Sequence, residues 1–70
     1  MTEPTVLYEV KDRIAFITLN RPEKLNAFNI EMSLALRDVW KRYEADPEAQ
    51  VAILKANGKA FSVGVDLTDE

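Results

Sequence analysis

The sequence contains no cysteine and no histidine among its 70 residues. Without cysteine no disulfide can staple a small domain, and without histidine the usual zinc sites and the Ser-His and Cys-His catalytic pairs are gone as well. No apolar run approaches the roughly 18 residues of a membrane span. Nine basic residues against twelve acidic ones leave a net charge of -3, and neither sign gathers into a block able to follow a phosphate backbone, which argues against a nucleic-acid partner. Met1 to Val6 carries Glu3 and Pro4 and no basic-then-apolar run, so it reads as neither a signal peptide nor a transit peptide, and the expected location is cytoplasmic.

The composition, 47% hydrophobic and 30% charged, describes one small globular unit. A chain of this length buries only roughly 60% of its unfolded surface, so a second apolar face anywhere in the pattern signals a missing cover. Val6 to Val10 is β-branched and aromatic, Lys11-Asp12-Arg13 is a polar turn, and Ile14 to Leu19 is apolar on both faces apart from Thr18. These features predict a hairpin whose second strand is covered on both sides. Asn29 reads as an N-cap, and Met32, Leu36, Val39, Trp40 and Tyr43, with Ala35 beside them, follow helical spacing. Asp38 and Arg42 stand four apart in the favoured order, Trp40 reads as a core anchor, and Pro47 should stop the helix near Ala45. Leu34 falls off the stripe, a sign of a second contact. Val51 to Leu54 is a continuous apolar run, the pattern of a buried strand reached by a crossover.

Two segments can carry chemistry. In Phe61-Ser62-Val63-Gly64-Val65-Asp66-Leu67 a strand exit meets one of the chain's two glycines. Gly64 permits a sharp turn or a close approach by a ligand, and Asp66 followed by Asp69 resembles a helix N-cap that would aim amides at an anion. The alternative is that Gly64 only turns the chain and Asp66 only caps a helix. Asn20 to Phe28 is a polar loop in which Arg21 and Lys24 could meet phosphates, or which simply joins two elements along a path fixed by Pro22. Ser62 has no activating base and is not a nucleophile candidate.

Taken together, Ile17 to Phe28 (Ile-Thr-Leu-Asn-Arg-Pro-Glu-Lys-Leu-Asn-Ala-Phe), Met32, Asp46-Pro47 and Lys59 to Leu67 resemble the N-terminal part of the crotonase, or enoyl-CoA hydratase/isomerase, family. The resemblance implies an α/β fold of stacked strand-strand-helix turns, a superhelix of the ClpP/crotonase type, here as a single portion spanning residues 1–70 and assembled in the parent into a homotrimer or hexamer. It implies an acyl-CoA substrate, with coenzyme A entering only as part of the thioester and with no metal. Lys24, Leu25 and Ala27 would lie against the coenzyme A and backbone near Val63 against its adenine end. Gly64, Asp66 and Leu67 complete the substrate-binding stretch around Val65. The catalytic element carried over is the Val65 backbone N–H, one of two donors to the thioester oxygen as it gains enolate charge.

Two departures accompany the match. Valine stands on both sides of Gly64 where the family often has alanine, which narrows the acyl pocket or shifts its wall. The family's second oxyanion donor and its acid-base glutamates lie well downstream, so residues 1–70 alone are expected to be inactive. Hydration of a 2-enoyl-CoA is the reaction expected first, with isomerisation, hydrolysis, dehalogenation and carbon-carbon cleavage possible on the same scaffold. A reading from another class stays open: a non-catalytic strand-strand-helix-strand module that docks a protein through its uncovered strand face.

Overall fold

The computed structural model describes residues 4–66. The β-branched and aromatic runs form β1 (Val6–Lys11) and β2 (Ile14–Leu19), paired antiparallel from Val6 with Leu19 to Lys11 with Ile14. Lys11, read as part of the turn, is the last residue of β1. The two residues left to close the hairpin, Asp12 and Arg13, take positive φ of 53° and 68°, the backbone sense that matches the twist of the flanking strands. From β2 the chain passes through α1 (Ile30–Glu44) to β3 (Val51–Ala56), which lies parallel to β2 and gives the sheet order β1-β2-β3.

Helix α1 begins and ends where local chemistry dictates. The Asn29 side chain accepts a hydrogen bond from the Met32 N–H at 2.8 Å, satisfying one of the unpaired first-turn amides. Lys41 and Arg42 occupy the negative last turn, and Ala45 is the C-cap just ahead of Asp46-Pro47. The stripe delivers Met32, fully buried, onto Val6, Ile17 and Leu19, with Ala35, Leu36 and Val39 packed around that cluster. Ala15, Ile17 and Leu19 point to this side and are wholly buried.

The opposite sheet face differs. Ile14 and Phe16 are half-buried, and beside them on β3 Val51 and Ile53 are 52% and 43% exposed. Only the face turned to α1 is covered among the described residues, and β3, expected to be buried, is an edge strand. Trp40 is likewise no core anchor. It stands 38% exposed at the margin of the helix, edge-on to Tyr43 with ring centroids 5.9 Å apart. The Asp38–Arg42 pair does not form either. Asp38 meets Arg37 at 3.2 Å, and the Arg42 guanidinium stacks 4.6 Å from the centre of the Tyr8 ring, a contact worth more than an exposed ion pair.

Tyr8 also ties β1 to the end of α1, its hydroxyl donating to Asp46 Oδ2 at 2.9 Å. Burial first, then the bond to Asp46 and that carboxylate's charge, raise the phenol above its ordinary value of 10.0, partly opposed by Arg42. A group with a raised folded-state pKa contributes stability that is complete below its unfolded value and disappears as pH rises through the folded one. Chemical denaturation should therefore show stability falling from about pH 10 upward, with a shallower fall in Tyr8→Phe. Equal slopes in the two proteins would show that Tyr8 titrates without linkage to folding.

Candidate functional site

Between β2 and α1 the chain makes one 3-10 turn over Pro22–Lys24, with proline at a position where its missing N–H costs nothing. Leu25 and Asn26 then adopt left-handed φ of 53° and 55°, a conformation that asparagine accepts more readily than most residues. Asn26 is completely buried, and its side chain is fully used. Its Oδ1 accepts from the Arg21 N–H at 2.7 Å, and its Nδ2 donates to the carbonyls of Asn57 at 2.8 Å and Ala60 at 2.9 Å. Gly58, with φ of 94°, sits so close to the 3-10 turn that a Cβ would stand 2.7 Å from Pro22 Cβ. The Asn57-Gly58 turn is thus a packing joint between the two motif segments.

Residues 60–66 run alongside Asn26 to Phe28 with alternating allegiance. The even positions are engaged. Ala60 receives Asn26, Ser62 Oγ donates to the Asn26 carbonyl at 2.8 Å, and Ser62 Oγ accepts the Gly64 N–H at 3.1 Å. Phe28 forms a parallel bridge with Val65, its N–H donating to Gly64 O at 2.7 Å and its carbonyl accepting from the Asp66 N–H at 2.9 Å. The odd positions face outward: Phe61, Val63 and Val65 are 53%, 59% and 73% exposed. Because a trans peptide sends its C=O and N–H in opposite directions, fixing the Gly64 carbonyl on Phe28 aims the Val65 N–H away from the loop. That N–H makes no hydrogen bond among the described residues.

Gly64 takes φ of 96°, yet a Cβ there would meet nothing within 4 Å among the described residues. Conformation alone therefore calls for glycine at this position. Beside Val65, a hollow of about 240 Å³ opens toward Phe28, Ile30 and Leu34. Leu34, off the helix stripe, is one of its walls. A larger hollow of about 380 Å³ is lined by Glu23 and Glu31 together with Thr5, Asn20 and Arg21. Its carboxylates would repel a phosphate-bearing ligand, and it does not reach Val65.

The remaining sequence candidates fall into two groups. Lys24 and Leu25 are exposed on the loop, Leu25 by 42%. Ala27 is buried beneath it, with its N–H on the Lys24 carbonyl and its own carbonyl held by Arg21. Arg21 is not free for a phosphate. Its Nη1 donates to Ala27 O at 2.8 Å and to Asp66 Oδ2 at 2.9 Å, and the latter ion pair is almost wholly shielded. Leu67 and Asp69, and with them the proposed helix start, lie outside the described residues. The roles of Asn26, Arg21 and Ser62 as connectors are additional to the sequence reading; the one local signal for them is a polar cluster beside a strand end.

The sequence profile described as Enoyl-CoA hydratase/isomerase matches residues 9–70. The chain belongs to this family. Among its relatives, the hydroxycinnamoyl-CoA hydratase-lyase of Pseudomonas fluorescens is 43% identical over 93% of the chain, and the trans-2-decenoyl-[acyl-carrier-protein] isomerase of Streptococcus mutans is 45% identical over 91%. The crystal structure of a probable enoyl-CoA hydratase from Mycobacterium thermoresistibile superposes with a TM-score of 0.89 at 51% identity, covering 93% of this chain and 27% of that one. These overlaps establish the crotonase fold, and they also establish its extent: the enoyl-CoA hydratase/isomerase chain spans about a quarter of the length of these three relatives.

Proposed function

We propose that this chain is the acyl-CoA-binding segment of a longer enoyl-CoA hydratase/isomerase family enzyme, and that the Val65 N–H is one of two oxyanion donors in its active site. The observation that supports this most directly is the Gly64–Val65 peptide, anchored through its carbonyl and, among the described residues, unengaged at its N–H. When the carbon next to a thioester carbonyl becomes enolate-like, charge moves onto the oxygen. A donor already fixed in place stabilises that charge without having to reorganise. In this reading the acyl group occupies the hollow beside Leu34 and Val65, while Lys24, Leu25 and the backbone at Val63 lie along the coenzyme A. Asp66 and Leu67 follow the donor in the same stretch.

The reaction proposed for the full-length enzyme is hydration of a 2-enoyl-CoA, with no cofactor beyond the coenzyme A of the substrate, in a cytoplasmic homotrimer or hexamer. The second donor and the acid-base groups would come from beyond Glu70, so residues 1–70 are proposed to be inactive by themselves. Amide hydrogen exchange on the full-length enzyme tests the assignment. Adding crotonyl-CoA should slow exchange at Val65 while leaving the tip of the β1–β2 hairpin unchanged. Unaltered exchange at Val65 under saturating ligand would rule the donor out.

A further inference from the structure

Among the described residues, the Gly64–Val65–Asp66 stretch is joined to Phe28 by two backbone hydrogen bonds, one on each side of Val65. A bridge outside the named strands lies open to fraying. One side chain grips both strands of this bridge at once. Arg21 Nη1 donates to the carbonyl of Ala27, the residue before Phe28, and to the carboxylate of Asp66, the residue after Val65. Both bonds are short, and the ion-paired side chains are only 13% and 11% exposed, so water competes weakly for them. The arginine is itself fixed from behind, its backbone N–H being held by the buried Asn26 side chain.

We infer that Arg21 and Asp66 are positioning residues for the oxyanion donor: their ion pair closes the Phe28–Val65 bridge and sets the direction of the Val65 N–H. This inference rests on the donor assignment proposed for Val65. Neither residue touches the substrate in this role, and the arginine found in the polar loop is withdrawn from phosphate binding in order to fill it. Sequence distance hides the pair, since 45 positions separate its members. Geometric displacement of a donor by a fraction of an ångström weakens stabilisation of the transition state far more than binding of the ground state.

The test uses the full-length enzyme with crotonyl-CoA as probe. Arg21→Met should lower kcat about ten- to a hundredfold while changing KM by less than about threefold, with kcat counted per folded site. Raman spectra of the bound enoyl thioester should show the polarised carbonyl of the wild type partly relaxed in Arg21→Met. Arg21→Lys, which keeps a nitrogen able to serve both acceptors, should recover part of the rate. Asp66→Asn gives a milder form of the same defect, and in the double variant the losses should not multiply, because both substitutions break one device. Should Arg21→Met fail to fold, Asp66→Asn and Arg21→Lys carry the same comparison. Full kcat and an unshifted carbonyl band in a folded variant would overturn the inference, as would losses that track only the folded fraction. A wild-type enzyme with no polarised thioester would overturn the donor assignment as well. A polarised wild type with an indifferent Arg21→Met would overturn this inference alone.

Discussion

Gly64→Val is expected to lower the kcat of the full-length enzyme about 10²- to 10³-fold, the loss seen when one oxyanion donor is removed, with a much smaller change in KM. The reason is conformational. Gly64 has φ of 96° and, among the described residues, nothing within 4 Å of its Cβ position, so a side chain would find space but no comfortable backbone. A β-branched residue is the least tolerant of positive φ, and relaxation toward negative φ rotates the peptide that carries the Val65 N–H. The Phe28 N–H would then lose the Gly64 carbonyl it holds at 2.7 Å. Three variants separate this cause from simple crowding. Asparagine, which accepts positive φ, should retain the most activity, alanine less, and valine least. Side-chain volume alone would place alanine above asparagine. Wild-type turnover in Gly64→Val would end the case for a preorganised amide at this position.

The sequence made the strands and the helix legible because their signals are local. β2 begins and ends at the residues its apolar run marks, and α1 runs between a side-chain cap at Asn29 and a proline stop two residues past Ala45. Leu34, out of phase with the stripe, is 46% exposed and walls the hollow beside Val65. Periodicity marks the face a side chain takes but not how deeply the neighbouring layer covers it. Trp40 therefore stands 38% exposed rather than in the core, and Arg42 stacks on the Tyr8 ring while Asp38 pairs with Arg37. The stretch around Gly64 was legible for the same local reason, a glycine at a strand exit. Its anchorage was not. Asn26 finds its partners 31 and 34 positions away, and Arg21 finds Asp66 across 45. A polar residue in a loop looks alike whether it is solvated or fully buried until the chain has closed around it.

Asn26 supplies the largest expected loss of stability. Asn26→Ala should cost about 3 kcal/mol, because each shielded group left unpaired costs roughly 1–3 kcal/mol and three partly buried bonds are lost: those to the Arg21 N–H and to the Asn57 and Ala60 carbonyls. Left-handed backbone adds to this, since alanine at φ of 55° is strained where asparagine is tolerated. Asn26→Gly isolates the two contributions. It loses the same three bonds but relieves the strain, so it should be more stable than Asn26→Ala by about 1 kcal/mol. Urea denaturation of the full-length enzyme measures both, and an Asn26→Ala midpoint close to wild type would mean that water replaces the lost side chain without penalty. The consequence for chemistry follows from connectivity. Asn26 joins the 3-10 loop, the Gly58 turn and the start of the 60–66 segment, so its loss loosens the Lys24 and Leu25 loop together with the Val65 peptide. Unlike the Arg21 variants, Asn26→Ala should therefore raise KM and lower kcat together.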